Sequence, residues 1–316
     1  MKAGFIGLGT MGAFMAANLQ KGVQPQGHTV LVHDINRAAA APHIKNGAVW
    51  SDSPAAIAAE ADVIFTSLPG PPEFEAVSYG ESGLLSAIRP GVAYFDLTTN
   101  APTTVRKAHA DYEKKGAHLF DAPVSGGPRG AQTGKLAIWC GGDADVFERW
   151  KPFLDAIGDQ AKLIGPIGAG SVAKLVHNCY GYIATAAAAE VFSMGVKAGI
   201  EPLAIWEAVR QGAIGRRGAF ESLTDQFLPD KYEPPAFALR LAHKDVSLAT
   251  ALGRELNVPM RLANLALADL AEGLNRGWGN RDSRAIMKIQ TERAGVEVKV
   301  DPQRLTEAME TKAKNG

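Results

Sequence analysis

GFIGLGTMG, residues 4–12, decides how the rest of the chain is read. Gly7, Gly9 and Gly12 stand in G-x-G-x-x-G spacing, directly after the apolar run AGFIG and directly before the helical pattern MGAFMAANLQ. In a strand-turn-helix each glycine has its own task. Gly7 allows the tight turn, Gly9 lets a pyrophosphate approach the backbone, and Gly12 lets helix and strand pack closely, leaving the helix N-terminus aimed at the phosphates. Leu8, Thr10 and Met11 complete the loop and join the glycines as candidate cofactor contacts. The same spacing also occurs in glycine-rich turns of unrelated sheets, so the flanking sequence has to decide between the two.

TVLVHD, residues 29–34, is the next strand pattern, and it ends in Asp34. A carboxylate at that distance from the glycines can accept the ribose hydroxyls of a dinucleotide. It repels a 2′-phosphate, so Asp34 favours NAD over NADP, while Arg37 nearby softens the preference and leaves NADP possible. The other reading of Asp34 is a helix N-cap, with Asn36 and Arg37 starting a surface helix. Two further strand ends, SLPG at 67–70 and DLTTN at 96–100, fall where ligands collect at the carboxyl edge of such a sheet. Leu68, Pro69 and Thr99 are candidates for the nicotinamide half. Read blandly, Pro69 is a strand breaker and Thr99 a cap.

From residue 3 to about 165 short apolar runs alternate with helical patterns: AGFIG, TVLVHD, DVIFTSLP, VAYFDLT, HLFDAPV, LAIWCGG and AKLIG. That rhythm predicts a mostly parallel sheet covered by helices on both faces. After Gly170 the texture changes: SVAKLVHNCYGYIATAAAAEVFSMGVKAG is a helix of roughly eight turns, and the remainder of the chain has a helical pattern with Pro and Gly as punctuation. We expect two domains, 1–165 and 166–316, as the length also favours. The long Ala-rich helix carries very little charge between Lys174 and Glu190, which places it in a core or between domains.

Lys plus Arg and Asp plus Glu are 33 each. No net field draws the protein toward nucleic acid or an anionic membrane, so a ligand has to be recognised locally. Cys140 and Cys179 stand alone without C-x-x-C spacing, which argues against a disulfide framework or a thiolate metal site and fits a reducing, cytoplasmic setting. MKAGFIGLG lacks a signal-peptide apolar region with a cleavage site, and no run of about eighteen apolar residues occurs.

Nicotinamide chemistry on an alcohol needs a group that takes the hydroxyl proton and returns it in the reverse direction. Lysine does this when desolvation or a nearby cation lowers its pKa. Lys174 and Asn178 are four residues apart and share a helix face, so Asn178 can hold the hydroxyl that Lys174 protonates. A lone helical lysine is ordinarily solvated; here Val172, Ala173, Leu175 and Val176 surround it and the following turns offer almost no polar face. His177 is the rival base, although a histidine among small apolar residues is more often a packing residue. The other half of the pocket is DAPVSGGPRGAQTGKL, residues 121–136, where exposed N–H groups and the Ser125 hydroxyl form a cradle for a carboxylate. Its plain reading is a flexible loop or hairpin turn.

In this order and at these intervals, GFIGLGTMGAFMAANL, SLPG, DAPVSGG with GAQTGKL, GAGSVAKLVHN and HKDVSLA resemble the β-hydroxyacid dehydrogenase family, whose members include 3-hydroxyisobutyrate dehydrogenase, tartronate semialdehyde reductase and 6-phosphogluconate dehydrogenase. The resemblance implies an α/β Rossmann domain with a mostly parallel doubly wound sheet, followed by an all-helical C-terminal domain. It implies an NAD(P)-dependent oxidoreductase of small 3-hydroxy acids or their semialdehydes, with Lys174 as acid/base and Asn178 as its helper. It further implies that Ser125, Gly126 and Gly127 bind substrate, and that Lys244 reaches back toward the nicotinamide with Asp245 in support. From the residues alone, Lys244 and Asp245 read as an exposed charged pair on a helix beginning near Leu239.

The chain departs from the family pattern in places. KGVQPQGH, residues 21–28, is longer than the usual turn. AIGRRGAFES, residues 213–222, carries Arg216 and Arg217 where relatives often have small or hydroxyl residues; a guanidinium there pairs with a substrate carboxylate or phosphate, or faces solvent. KLVHN resembles 6-phosphogluconate dehydrogenases more than most of the smaller members, yet those generally carry a much larger helical domain, which favours a short 3-hydroxy acid. The competing readings are an imine reductase of the same fold and a non-catalytic dinucleotide-binding module, both of which tend to lack the lysine. The long apolar helix points to a homodimer or homotetramer.

Overall fold

The Val-, Ile- and Phe-rich runs pair, in the computed structural model, into one nine-stranded sheet. The strands are β1 Lys2–Ile6, β2 Thr29–His33, β3 Val49–Trp50, β4 Val63–Thr66, β5 Ala93–Asp96, β6 His118–Asp121, β7 Val124–Ser125, β8 Ala137–Gly141 and β9 Gln160–Gly165. The helices are α1 Gly12–Val23, α2 Ala41–Lys45, α3 Pro54–Glu60, α4 Pro71–Tyr79, α5 Leu84–Ala87, α6 Pro102–Glu113, α7 Gly127–Thr133, α8 Ala144–Ile157, α9 Ala169–Lys197, α10 Pro202–Gln211, α11 Ala213–Arg216, α12 Leu239–Glu255, α13 Arg261–Asn275, α14 Ile286–Arg293 and α15 Pro302–Asn315. The structure describes residues 1–316 apart from 217, 219, 220, 256, 296 and 316. Outside the description are also the side chains at 179, 181, 182, 185, 186, 189, 202, 203, 210, 213, 216, 221, 241, 244, 245, 248, 249, 251, 252, 255, 308 and 311–315.

Strand order is β3-β2-β1-β4-β5-β6-β8-β7, with β9 against the outer side of β8. The six strands from β3 to β6 are parallel, β8 runs antiparallel to β6 and β7, and β9 is parallel to β8. The chain winds outward from β1 to β3, then returns to the other side of β1 for β4. That reversal opens a crevice at the carboxyl ends of β1 and β4.

Both faces of the sheet are buried, and alternation along each strand shows it. Ala3, Phe5, Val30, Val32, Val63, Phe65, Phe95 and Phe120 face one core, while Ile6, Leu31, Ile64, Tyr94 and Leu119 face the other. The first core is closed by Met15, Ala16 and Leu19 of α1 and by Phe147, Trp150 and Phe153 of α8. The second is closed by Ile57 of α3, Phe74 of α4 and Tyr112 of α6. On the first face, register aligns Phe5, Phe65, Phe95 and Phe120 across four neighbouring strands. Their rings stack at 6.4, 5.7 and 4.4 Å in turn, and buried offset-stacked pairs of this kind add about 0.5–1.5 kcal/mol each beyond area burial. This ladder ties β1, at the glycine-rich turn, to β6, the strand that leads into residues 121–136.

The chain divides into two compact units, Met1–Tyr180 and Gly181–Gly316, so the first turns of α9 belong to the first unit. The second unit is helical, with a core of Tyr232, Leu239, Leu270 and Ala285. In it the buried Asp282 carboxylate accepts the N–H groups of Ala236, Phe237 and Arg284, and the Glu190 carboxylate accepts those of Leu262 and Ala263 at the start of α13, 3.0 Å each. The KGVQPQGH stretch closes α1 with a 3₁₀ turn at Gln24–Gln26, and Gly27 leaves it at φ 81°. Among the described residues no helix is long and apolar enough to cross a membrane.

Candidate active site

Two of the three fingerprint glycines are demanded by the protein's own packing. Gly7 sits at φ 92°, which an L side chain rarely adopts, and a Cβ there would overlap the Ser67 carbonyl oxygen. A Cβ on Gly12 would overlap the carbonyl oxygen of Gly7. At Gly9, by contrast, a Cβ would meet nothing within 4 Å. The space above it is kept for a ligand rather than for the fold. Helix α1 begins at this point with no side-chain cap and no acidic residue in its first turn; the Ala13 N–H donates to the Gly9 carbonyl at 3.0 Å, and the positive end of the helix is left to an anion.

A cleft of about 720 Å³ opens over this loop. Gly7, Gly9, Thr10, Met11 and Gly12 line one side, His33 to Ile35 the end of β2, and Ser67 to Pro69, Glu73 and Val77 the far wall. Leu8 takes no part: its side chain is buried in the core, and its N–H donates to Asp34 Oδ2 at 2.6 Å. Asp34 Oδ1 accepts the Asn36 N–H at 2.7 Å, so this carboxylate pins the glycine loop to the end of β2. The local helix cap is Asn36 instead, accepting the Ala38 N–H at 3.2 Å. Arg37 lies over the Trp50 ring, 5.3 Å from its centroid. An open approach at Gly9, an uncapped helix start and a carboxylate at the end of β2 together fit a dinucleotide.

Beneath the far wall lies a buried polar network. Asp96 is fully buried at the end of β5. Its Oδ1 accepts the Thr66 hydroxyl at 2.8 Å and the Thr98 N–H at 3.2 Å, and its Oδ2 accepts the Asn100 amide at 3.3 Å. With the Thr66 proton given to Asp96, the Tyr94 hydroxyl is left to donate to Thr66, 3.0 Å away. Thr98 Oγ1 in turn accepts the Leu68 N–H at 3.1 Å, joining the two loops at the ends of β4 and β5. Thr98 is therefore the threonine that holds this wall, while Thr99 is exposed.

Burial pushes the Asp96 carboxyl up to about 6, against the bonds that favour its charged form. A folded pKa above the unfolded value means that the contribution of this group to stability is fully present below about pH 4. It is lost as pH rises through about 6. A displacement of that size corresponds to about 3 kcal/mol. Asp96→Asn is accordingly expected to remove most of the decline in urea midpoint between pH 4.5 and 7; an unchanged slope would assign that decline elsewhere.

The candidate reacting groups sit at the start of α9 and in the segment after β6. Lys174 is half-buried, and desolvation draws its ammonium below the ordinary lysine value. One turn on, His177 Nε2 lies 3.4 Å from Ser125 Oγ, and His177 Nδ1 lies 3.1 Å from Asn178 Oδ1. The imidazole leans on the Trp139 ring at 5.3 Å. His177 is thus exposed and faces Ser125 of the 121–136 segment, not packed in a core as its apolar neighbours suggest, and Val172, Leu175 and Val176 are themselves exposed. Residues 121–136 form neither a flexible loop nor a plain hairpin turn: β7 pairs with β8, and Gly126 and Gly127, at φ 139° and 62°, turn the chain into α7. A Cβ on Gly127 would meet nothing within 4 Å, so this backbone too is open to a ligand.

Lys244, Asp245, Arg216, Arg217 and Cys179 lie outside the described residues or side chains. Cys140 is a free buried thiol whose pKa burial raises. Sequence reasoning passed over Asp96 and Asp121. The signal that marks both is an acid closing an otherwise apolar run.

A doubly wound sheet with a glycine-loop cleft, in a chain that also carries a lysine whose amine is held partly out of water, fits a nicotinamide-dinucleotide oxidoreductase. The family comparisons agree over nearly the whole chain. Residues 2–167 match the NAD-binding domain of 6-phosphogluconate dehydrogenase, and residues 168–290 match the NAD-binding domain of NADP-dependent 3-hydroxyisobutyrate dehydrogenase. The 2-(hydroxymethyl)glutarate dehydrogenase of Eubacterium barkeri is 36% identical, over 94% of this chain and 97% of its own. The 3-hydroxyisobutyrate dehydrogenase of Pseudomonas aeruginosa is 34% identical, over 83% and 88%. Among solved structures, the 3-hydroxyisobutyrate dehydrogenase of Mycobacterium tuberculosis with L-serine superposes with a TM-score of 0.61 at 29% identity, covering 92% of this chain and 98% of that one. The chain belongs to the β-hydroxyacid dehydrogenase family, oxidoreductases of CH–OH groups that use a nicotinamide dinucleotide.

Proposed function

We propose that the protein interconverts a small 3-hydroxy acid and its semialdehyde, with Lys174 as general acid/base and NAD preferred to NADP. A nicotinamide dinucleotide held over the glycine loop would supply the hydride acceptor or donor. The observation that carries this reading is the half-buried Lys174 one turn before the hydrogen-bonded chain Asn178–His177–Ser125. An amine freed of part of its hydration takes the hydroxyl proton in oxidation and returns it in reduction. The Ser125 hydroxyl and the backbone at Gly126 and Gly127, open at Gly127 and turned there by the positive φ of both glycines, hold the substrate carboxylate. Asn178 keeps its amide N–H₂ for the substrate hydroxyl, since its Oδ1 already faces His177.

Asp34 retains lone pairs for ribose hydroxyls after its two backbone bonds, and its charge opposes a 2′-phosphate. Arg37, engaged with Trp50, is turned to another use. The exposed apolar residues Val172, Leu175, Val176 and Ile183 along α9 support self-association as a dimer or tetramer, and a free buried thiol suits a cytoplasmic setting.

3-Hydroxyisobutyrate, 2-(hydroxymethyl)glutarate and L-serine share a hydroxymethyl carbon next to the carbon that bears the carboxylate, and they differ in the substituent on that middle carbon. We expect the substrate in this class. Choice within it rests on pocket shape, where one methylene is worth about 1–3 kcal/mol. A panel of these three with 3-hydroxypropionate, glycerate, tartronate semialdehyde, 4-hydroxybutyrate, 6-phosphogluconate and a cyclic imine, each with NAD(H) and NADP(H), decides the matter. Turnover of a 2-substituted 3-hydroxypropionate with NAD is the expected result. Turnover of 6-phosphogluconate or the imine alone, or NADH binding without any turnover, would overturn it.

A further inference from the structure

We propose that Asp121 is a positioning residue for the reaction: from the end of β6 it caps the helix that carries Lys174, fixing that turn against the substrate segment which begins four residues later. The proposal rests on Lys174 being the acid/base.

A helix leaves the N–H groups of its first turn without intrahelical partners, and a side chain at the N-cap ordinarily accepts the one at the third helical position. At α9 the N-cap position is Gly168, which has no side chain to offer. It has to be glycine, because its φ is 91° and a Cβ would lie 2.7 Å from Arg106 Nε. The missing acceptor comes from 47 residues earlier. Asp121 Oδ1 accepts the Gly168 N–H at 2.7 Å, and Oδ2 accepts the N–H of Ser171, the third residue of the helix, at 2.6 Å. The carboxyl is 1% exposed. Both oxygens face donors, which favours the carboxylate form, while burial pushes the pKa of the carboxyl up.

The chain is shaped to permit this approach. A Cβ on Gly141 would overlap Asp121 Oδ1, and one on Gly170 would lie 2.7 Å from the Asp121 carbonyl oxygen. Strand β8 and the first turn of α9 therefore both close on this one residue. Forward along the chain from Asp121, Ala122 and Pro123 lead to Val124 and Ser125 of β7. Forward from Ser171 along α9, Lys174 is three residues on, a rise of about 4.5 Å. Asp121 is the point from which both halves of the reacting site are measured.

Its charge matters as well as its shape. A carboxylate at the start of the helix offsets the positive end of the helix dipole and favours the charged form of an ammonium one turn away. Removing that charge lowers the pKa of Lys174. Among the described residues, the charged and titratable groups at this corner include the Cys140 thiol on β8, whose ionisation Asp121 opposes, His177 on α9, and the Arg106 guanidinium from α6, whose Nε donates to the Ile167 carbonyl at 3.3 Å. None of them takes either Asp121 oxygen.

The test compares Asp121→Asn, Asp121→Glu and Lys174→Ala in the full chain, reading kcat and KM for the hydroxy acid, NADH affinity by fluorescence, and the pH profile of oxidation. Asp121→Asn keeps the size but turns one acceptor into a donor. It is expected to bind NADH as the wild type does, to lose about 10- to 100-fold in kcat, the usual reach of a misplaced acid/base, and to move the acidic limb of its profile to lower pH. Asp121→Glu keeps the charge but overreaches by a methylene; it is expected to lose rate with the limb in place. If Lys174→Ala abolishes turnover while both Asp121 variants keep wild-type kcat and limb, the positioning role is wrong. If Lys174→Ala retains turnover, it is the acid/base reading that fails. Should Asp121→Asn fail to fold, Asp121→Glu decides alone, since an unchanged kcat there overturns the role and a loss with an unmoved limb supports it.

Discussion

Lys174→Ala is expected to reduce turnover of 3-hydroxy acids by about 10²- to 10⁴-fold while NADH binds with unchanged affinity. The two parts of this expectation come from different places in the fold. The cleft that fits a dinucleotide is lined by the turn after β1, the end of β2 and the end of β4, none of which Lys174 belongs to, so deleting its amine leaves the cleft as it is. Proton transfer has no such reserve. His177, the nearest titratable alternative, already faces Ser125 and Asn178 with its two ring nitrogens.

This role also fixes the direction of pH dependence. In oxidation the amine acts as a base and has to be neutral, so the rate rises with pH through its pKa. In reduction it acts as an acid and the rate falls through the same value. Burial lowers that value from the ordinary lysine range, which brings both limbs toward neutral pH. Lys174→Arg, which keeps a cation but does not deprotonate in proteins, is expected to lose the oxidation limb altogether. Steady-state rates in both directions between pH 6 and 10, with NADH fluorescence titration, check the set. A Lys174→Ala enzyme with wild-type turnover would remove this residue from the chemistry.

How much of this was legible in the sequence depends on the kind of signal. The seven long strands could be read because each is an apolar run with turn residues at its end, and doubly wound burial makes such runs continuous instead of alternating. β3 and β7 could not, since two residues carry no period to detect. The glycine loop was legible because backbone conformation restricts residue type, and Gly7 and Gly12 confirm that restriction sterically. Leu8 was misplaced by the same motif: adjacency in sequence put it in the loop, while its side chain turns into the core. Thr98 and Thr99 are indistinguishable by composition, and only the Leu68 N–H shows which one bears the wall. The role of Asp121 was hidden for a different reason. An N-cap is looked for beside its helix, and here it arrives from 47 residues away.

Gly12→Ala and Gly9→Ala, three residues apart in one motif, are expected to fail in opposite ways. At Gly12 the new methyl would overlap the Gly7 carbonyl oxygen, a backbone atom fixed because the Gly7 N–H is bonded to His33 O at 3.0 Å. Helix α1 cannot retreat, since Met15, Ala16 and Leu19 on its inner face are fully buried. Overpacking against fixed backbone costs about 1–3 kcal/mol or more, so a lower urea midpoint and loss of NADH binding should appear together. At Gly9 the methyl enters empty space at an ordinary backbone conformation. There Gly→Ala even gains about 0.4–1 kcal/mol by restricting the unfolded chain, so the urea midpoint should hold or rise. What the methyl removes is the room in which a pyrophosphate meets the N–H groups of the loop. NADH affinity should then fall by about 10- to 100-fold, the equivalent of one or two lost charge-assisted hydrogen bonds. Urea melts and fluorescence titrations on the two purified variants separate the cases. If Gly9→Ala bound NADH like the wild type, the phosphates would have to sit away from this loop; if Gly12→Ala were as stable as the wild type, the helix would have room that the packing of α1 denies it.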